Sequence, residues 1–147
     1  MFYHFKIHKD SDGFWAECIE LQGCNSQGDT LEELRGNMED VLNLYLSEPH
    51  SSKLIFPLPQ KNITGRNIEK VKVDPSVAFS TILRMIRLKN KLTIRQMAKF
   101  LNYSNTNAYA KLEKPKSANP QLKTLSNIAE KFPDFPMNLI FSQEKGA

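Results

Sequence analysis

The sequence predicts a small α+β domain over residues 1–74, followed by an all-α domain over residues 75–147. Three observations carry that reading. Near the N-terminus, apolar residues recur at every second position, the period of a half-buried strand. Beyond residue 75 they recur at helical spacing, in short runs separated by compact turns. The charge also changes sign: residues 1–74 hold 8 Lys and Arg against 12 Asp and Glu, and residues 75–147 hold 12 against 4.

In the first half, Tyr3, Phe5 and Ile7 alternate with His4, Lys6 and His8, which predicts a strand. Asp10-Ser11-Asp12-Gly13 is turn chemistry, with a glycine free to take positive φ. Phe14 to Leu21 then reads as the second strand of a hairpin, and the piece between Gly23 and Gly28 is open to a third. Thr30-Leu31-Glu32-Glu33 is a capping box. The stripe Leu31, Leu34, Met38, Val41, Leu42, Tyr45 and Leu46 predicts a helix laid on the sheet. Pro49, Pro57 and Pro59 interrupt the stretch after that helix, Asn67 to Val73 reads as a further strand, and Asp74-Pro75 closes the segment.

The second half predicts four short helices. The first carries Val77, Phe79, Ile82, Leu83 and Ile86. A second opens on the capping box Thr93-Ile94-Arg95-Gln96 and turns Met97, Ala98 and Leu101 inward. Ser104 is placed to cap a third, from about Asn105 to Glu113. Pro120 stands just inside a fourth, which carries Leu122, Leu125, Ile128 and Ala129. Pro133 and Pro136 stop it, and Phe135, Leu139, Ile140 and Phe141 leave a short apolar tail.

The stretch Leu92 to Ser104, with Ala98 at a close helix crossing and Leu101 and Tyr103 around the turn, resembles the Cro/repressor (XRE-type) helix-turn-helix family. Leu83-Arg84-Met85-Ile86-Arg87, Leu112-Glu113 and Asn119 to Leu125 extend the likeness. Asn102 stands where that family usually has a turn glycine, and asparagine tolerates the left-handed conformation. The resemblance implies DNA binding, with the start of the third helix in the major groove. With Tyr109 and Leu112 in the core, the candidate contacts are Asn105, Thr106, Asn107, Ala110 and Lys111. Asn107 suits adenine, Gln96 a phosphate, and Lys114 and Lys116 suit charge neutralisation of the DNA backbone. Arg87 and the residue matching its usual partner, Glu113, read as a structural clasp. One such unit spans few base pairs, so a homodimer or tetramer on palindromic operator DNA is expected. The tail Leu139-Ile140-Phe141 fits either a dimer seam or ordinary core packing.

The first half has its own likeness. Asp12-Gly13-Phe14-Trp15, Leu21-Gln22-Gly23-Cys24, Ser26 to Leu34 and Phe56-Pro57-Leu58-Pro59 resemble the HicB antitoxin domain. Ile19-Glu20-Leu21-Gln22 lacks the two prolines usual before Gly-Cys. The resemblance implies a degenerate, partial RNase H-like fold, a small basic HicA-like mRNA-cleaving toxin as partner, and repression of the shared operon. The acidic balance agrees: residues 1–48 hold 3 bases and 10 acids, which suits a cationic partner. Trp15, Glu17, Glu20 and the exposed acids of the helix are candidate toxin contacts, and Trp15 fits core or interface equally. The alternatives are unequal solvated surfaces without a partner, or an ordinary helix-turn-helix regulator whose N-terminal domain senses a ligand or protein.

An enzyme is not expected. Two-metal nuclease chemistry needs converging carboxylates, and Tyr3 to Ile7 contain none, while Asp10 and Asp12 sit in a turn. His4 and His8 share a strand face but lie about 13 Å apart, too far for one ion. Two cysteines, Cys18 and Cys24, cannot build a disulfide scaffold or a four-thiolate zinc site. Neither a nucleophile elbow nor a phosphate-cradling glycine loop is present. Catalytic residues, metals and cofactors are therefore not expected. No apolar run approaches the ~20 residues of a membrane span, and the N-terminus lacks a secretory layout, so a cytoplasmic chain is expected.

Overall fold

The computed structural model describes residues 1–144; the last three residues of the 75–147 domain lie outside the described residues. The chain forms two compact units. One comprises Met1–Leu46 and Phe56–Asp74, the other Ser47–Ile55 and the chain from Pro75 onward. The architecture is mixed α+β, with one four-stranded antiparallel sheet and six helices among the described residues.

In the first unit, β1 (Phe2–Asp10), β2 (Gly13–Cys18), β3 (Asn25–Gly28) and β4 (Ile68–Lys72) lie in the order β3-β2-β1-β4. The hairpin register pairs Asp10 with Gly13 and Phe5 with Cys18. The Asp12 amide donates to the Asp10 carboxylate at 3.0 Å. Gly13 has φ +147°, and a Cβ there would lie 2.7 Å from the Gly28 carbonyl oxygen, so both conformation and space demand glycine. The second strand stops at Cys18 rather than Leu21. The chain turns because Ile19 donates its amide to the His4 carbonyl (2.8 Å) and Cys24 donates to Leu21 (3.1 Å).

One sheet face carries Tyr3, Phe5, Ala16, Cys18 and Val71, all buried. Against it lies α1 (Leu31–Leu46), through Leu34, Met38, Leu42 and Leu46. This line is narrower than the predicted stripe, since Leu31 is exposed and Val41 and Tyr45 are half-buried. Thr30 caps the helix by accepting from the Glu33 amide (3.1 Å), and the Glu33 carboxylate reaches one residue further back, to the Asp29 amide (2.8 Å). Two backbones come close here: a Cβ on Gly28 would sit 2.6 Å from the Leu34 nitrogen.

The second unit is built round α2 (Pro75–Lys89), whose buried residues run from Val77 to Met85 without a break. The expected amphipathic stripe is therefore exceeded, and Ser80, Thr81, Arg84 and Arg87 are buried too. Arg84 donates to the carbonyls of Ser52 (3.0 Å) and Leu54 (2.7 Å), and Arg87 to that of His50 (2.9 Å). These bonds hold Ser47–Ile55, a segment of the predicted 1–74 domain, in the second unit. Burial pulls the Arg84 guanidinium below its ordinary pKa.

The remaining helices are α3 (Ile94–Phe100), α4 (Thr106–Ala110), α5 (Leu122–Lys131) and α6 (Met137–Ile140). The cap of α4 is Asn105, not Ser104: its side-chain oxygen accepts from the Asn107 amide at 2.8 Å. After Ala110 the chain tightens into one 3₁₀ turn, Lys111–Glu113. Pro120 lies outside α5, and of the four apolar positions predicted to face inward there, Ile128 is buried while Leu122 is 85% exposed. In the tail, Phe135 and Ile140 are buried and Phe141 is exposed.

Candidate interaction surfaces

The residues predicted to meet DNA fall on a short contiguous stretch. Thr93 and Gln96 form both halves of a capping box at the start of α3, at 3.1 and 2.9 Å. The carboxamide oxygen of exposed Gln96 is thus committed to the Thr93 amide, leaving its NH₂ group as donor. Between α3 and α4 the turn places Asn102 at φ +62°, the left-handed conformation that asparagine tolerates. Tyr103 donates its amide to the Ala98 carbonyl (2.8 Å), which draws the turn onto the buried Ala98. Beneath it Met97, Leu101, Tyr109 and Leu112 are buried.

With that core filled, Asn105, Thr106, Asn107 and Lys111 are exposed. Ala110 is only half-buried, and exposed Ala108 takes part of the outward face predicted for it. Helical spacing carries that signal, since Ala108 lies two positions before Ala110 and next to buried Tyr109. The 3₁₀ turn rotates consecutive Leu112 and Glu113 inward together. Buried Glu113 receives Arg87 Nε at 3.0 and 2.8 Å. Lys111, Lys114 and Lys116 are exposed and have no ion pair among the described residues. Burial, with the Glu113 charge beside it, raises the Tyr109 phenol pKa far above its ordinary value.

The sheet unit holds the other candidates. Trp15 is 38% exposed, so it is not core. Its ring stacks on His8 at 4.0 Å between centroids, with 15° between planes, the two residues standing opposite each other in register. Glu17 meets the edge of the same imidazole, at His8 Nε2, at 3.0 Å. Glu20 differs from the expectation: its side chain is fully enclosed. Its carboxylate accepts from the His4 amide (3.0 Å) and the Gln60 amide (3.3 Å), and meets His4 Nδ1 at 2.6 Å. An acid so engaged fastens the 19–24 turn and offers no surface to a partner.

Beside Trp15 opens a cleft of about 440 Å³ lined by Asp10, Asp12, Gln27, Asp29 and Glu33. Glu33 is one of the exposed helix acids that the sequence offers as contacts, whereas Asp29 is one that it does not point to. The hairpin register and the Phe14–Gly28 pairing bring them beside the β1–β2 turn. Cys18 and Cys24 are buried free thiols. The hydrogen bond that the Cys18 thiol donates toward Cys24, and burial, keep Cys18 protonated well above its usual range. No group of three His, Cys, Asp or Glu placed to hold a metal occurs among the described residues. Nor is any described helix long and apolar enough to cross a membrane.

Fold and surfaces define a two-unit chain, an acidic-clefted sheet unit joined to a lysine-rich helical unit. No family model matches the sequence. A UPF0150 protein of Helicobacter pylori is 38% identical over 63 residues, which is 43% of this chain and 86% of that protein. One from Synechocystis is 38% identical over 47 residues, 31% of this chain and 68% of the relative. Another from Synechocystis is 42% identical over 45 residues, 30% and 57%. The chain belongs to the UPF0150 family.

Proposed function

We propose that this protein is a HicB-type antitoxin that sequesters a small basic RNA-cleaving toxin and represses its own operon. The observation that carries the reading is that a chain of the UPF0150 family also has a unit whose Asn105-to-Lys116 stretch presents lysines without acidic partners among the described residues. The DNA-reading role follows from the resemblance to XRE-type repressors. Asn107 reads a base edge, Lys114 and Lys116 lie on phosphates, and Gln96 donates its NH₂ to a phosphate. Two copies bind the two halves of a palindrome.

On the toxin side, the acid-lined cleft and Trp15 meet a surface that is cationic because it must grip RNA. Long-range attraction hastens the encounter, and inhibition is steric cover of the toxin's catalytic groups. Glu17 stays in the contact set and Glu20 moves to a holding role. The chain itself carries out no chemistry in this scheme.

The test is to co-express the chain with its neighbouring small basic gene product, purify by a tag on one of them, and assay RNA cleavage. A stable complex without cleavage, plus a footprint on the chain's own upstream region, is the expected result. Full cleavage in the presence of excess chain rejects the antitoxin reading. A footprint without any complex leaves the ordinary regulator as the answer.

A further inference from the structure

The sheet face turned away from α1 is opposite in charge to the acidic cleft of its own unit. Strand alternation puts Lys6, Lys70 and Lys72 on it, all exposed. Lys70 lies diagonal to Lys6 across the β1–β4 pair, about 7–8 Å between backbones, and Lys72 follows about 7 Å further along β4. The acid opposite Lys6 is Glu17, and its carboxylate meets His8 instead. Next to the lysines stands the stack of His8 and half-exposed Trp15.

Between these lysines His4, on the same face, is buried against the Glu20 carboxylate. We infer that the exposed lysine-bearing surface around it, with the His8–Trp15 stack, binds single-stranded nucleic acid. Three ammonium groups on neighbouring strands take successive phosphates, and an unpaired base extends the two-ring stack of His8 and Trp15. Base–aromatic stacking beside a cationic track is how sequence-tolerant single-strand binders work. A duplex has its base faces covered and gains only phosphate contacts here. A basic protein meets three like charges at the lysines, while the toxin contact proposed above uses the acid-lined cleft that Trp15 also lines, so the two ligands would compete at Trp15. Lysines on an edge strand also discourage edge pairing, which accounts for Lys70 and Lys72 on β4 but not for Lys6, which lies on the inner strand β1. The inference goes beyond the antitoxin reading and does not depend on it.

Trp15 is the single tryptophan of the chain, so its emission reports on this face directly. The full chain is titrated with oligouridine, oligodeoxythymidine and a duplex, each of about 12 nucleotides per strand. The expected result is quenching by single strands and none by the duplex, with the first two oligomers telling RNA from DNA preference. The double variant Lys70→Glu, Lys72→Glu is expected to weaken single-strand binding about tenfold or more and to flatten its logarithmic salt slope by about 1.4. Lys114→Gln with Lys116→Gln, in the other unit, is expected to leave the quenching intact. Single-strand binding that leaves Trp15 unquenched and is lost with Lys114→Gln, Lys116→Gln overturns the inference. So does quenching by polylysine but not by oligonucleotides, which hands the face to a basic protein. Circular dichroism of each variant checks that the fold is kept.

Discussion

Arg87 and Glu113 are joined by a two-point contact, Nε to both carboxylate oxygens at 3.0 and 2.8 Å, with both side chains buried. The same guanidinium donates to the carbonyls of Leu92 (3.0 Å) and His50 (2.9 Å). One residue of α2 thus ties down the 3₁₀ turn, the entry to α3 and the 47–55 segment. It holds the surface that presents Lys111 and Lys114 without taking part in it. Glu113→Gln leaves a buried cation half-compensated, so the expected loss is about 3–5 kcal/mol of unfolding free energy. Urea denaturation followed by circular dichroism measures it. An unchanged midpoint would show that the clasp is dispensable.

A second stability test concerns glycine. Adding a Cβ at Gly28 places it 2.6 Å from the nitrogen and 3.0 Å from the Cα of Leu34, both backbone atoms of α1. Neither can move unless the helix lifts from the sheet, so Gly28→Ala is expected to cost about 1–3 kcal/mol. Gly36, in the same helix, has open space around its Cβ position. Gly36→Ala should therefore raise stability, by about 0.5–1 kcal/mol, because it removes only backbone freedom. Opposite shifts in thermal midpoint for the two variants are the expected outcome.

Local signals explain which parts are legible in the sequence. The Asp10–Gly13 turn and the Thr93–Gln96 box are short-range chemistry, and both appear where expected. The end of β2 is not legible, because it depends on Glu20 meeting His4 and Gln60, residues 16 and 40 positions away. Glu20 reads as a surface acid for the same reason. Leu122 fits the helical period of α5 and yet lies outside the core, since the period says which residues share a face but not what covers the first turn. Residues 105–116 stand out because they are contiguous. The cleft does not, because Asp10 and Asp29 become neighbours only through the strand register.

Buried phenols set the alkaline limit. Burial raises the pKa of Tyr3 and Tyr109, each from an ordinary value of 10.0. The unfolded chain releases these protons near pH 10 while the folded chain keeps them. Their contribution is therefore intact below pH 10 and is lost as pH rises above it, by about 1.4 kcal/mol per pH unit for each phenol. Tyr109→Phe removes a buried hydroxyl that has no hydrogen-bond partner among the described residues. It is therefore expected to leave stability at neutral pH the same or slightly higher and to make its decline above pH 10 shallower. Urea midpoints at about pH 8 and about pH 11 test this: the variant should gain on the wild type at the higher pH.

Two substitutions separate reading from holding in the proposed DNA contact. Asn107 is exposed and its amide is already satisfied by the Asn105 cap, so its side chain is free to meet a base. Asn107→Ala is expected to cost about 1–3 kcal/mol on the preferred site and little on altered ones, relaxing selectivity at one position. Lys114 is exposed just past the 3₁₀ turn. Lys114→Ala should weaken all sequences alike and reduce the salt slope by about 1. Selection from a randomised operator library, with affinities measured at several salt concentrations, resolves the two patterns. If Lys114→Ala changes base preference while Asn107→Ala only weakens binding uniformly, α4 enters the groove in a different register and the assigned roles exchange.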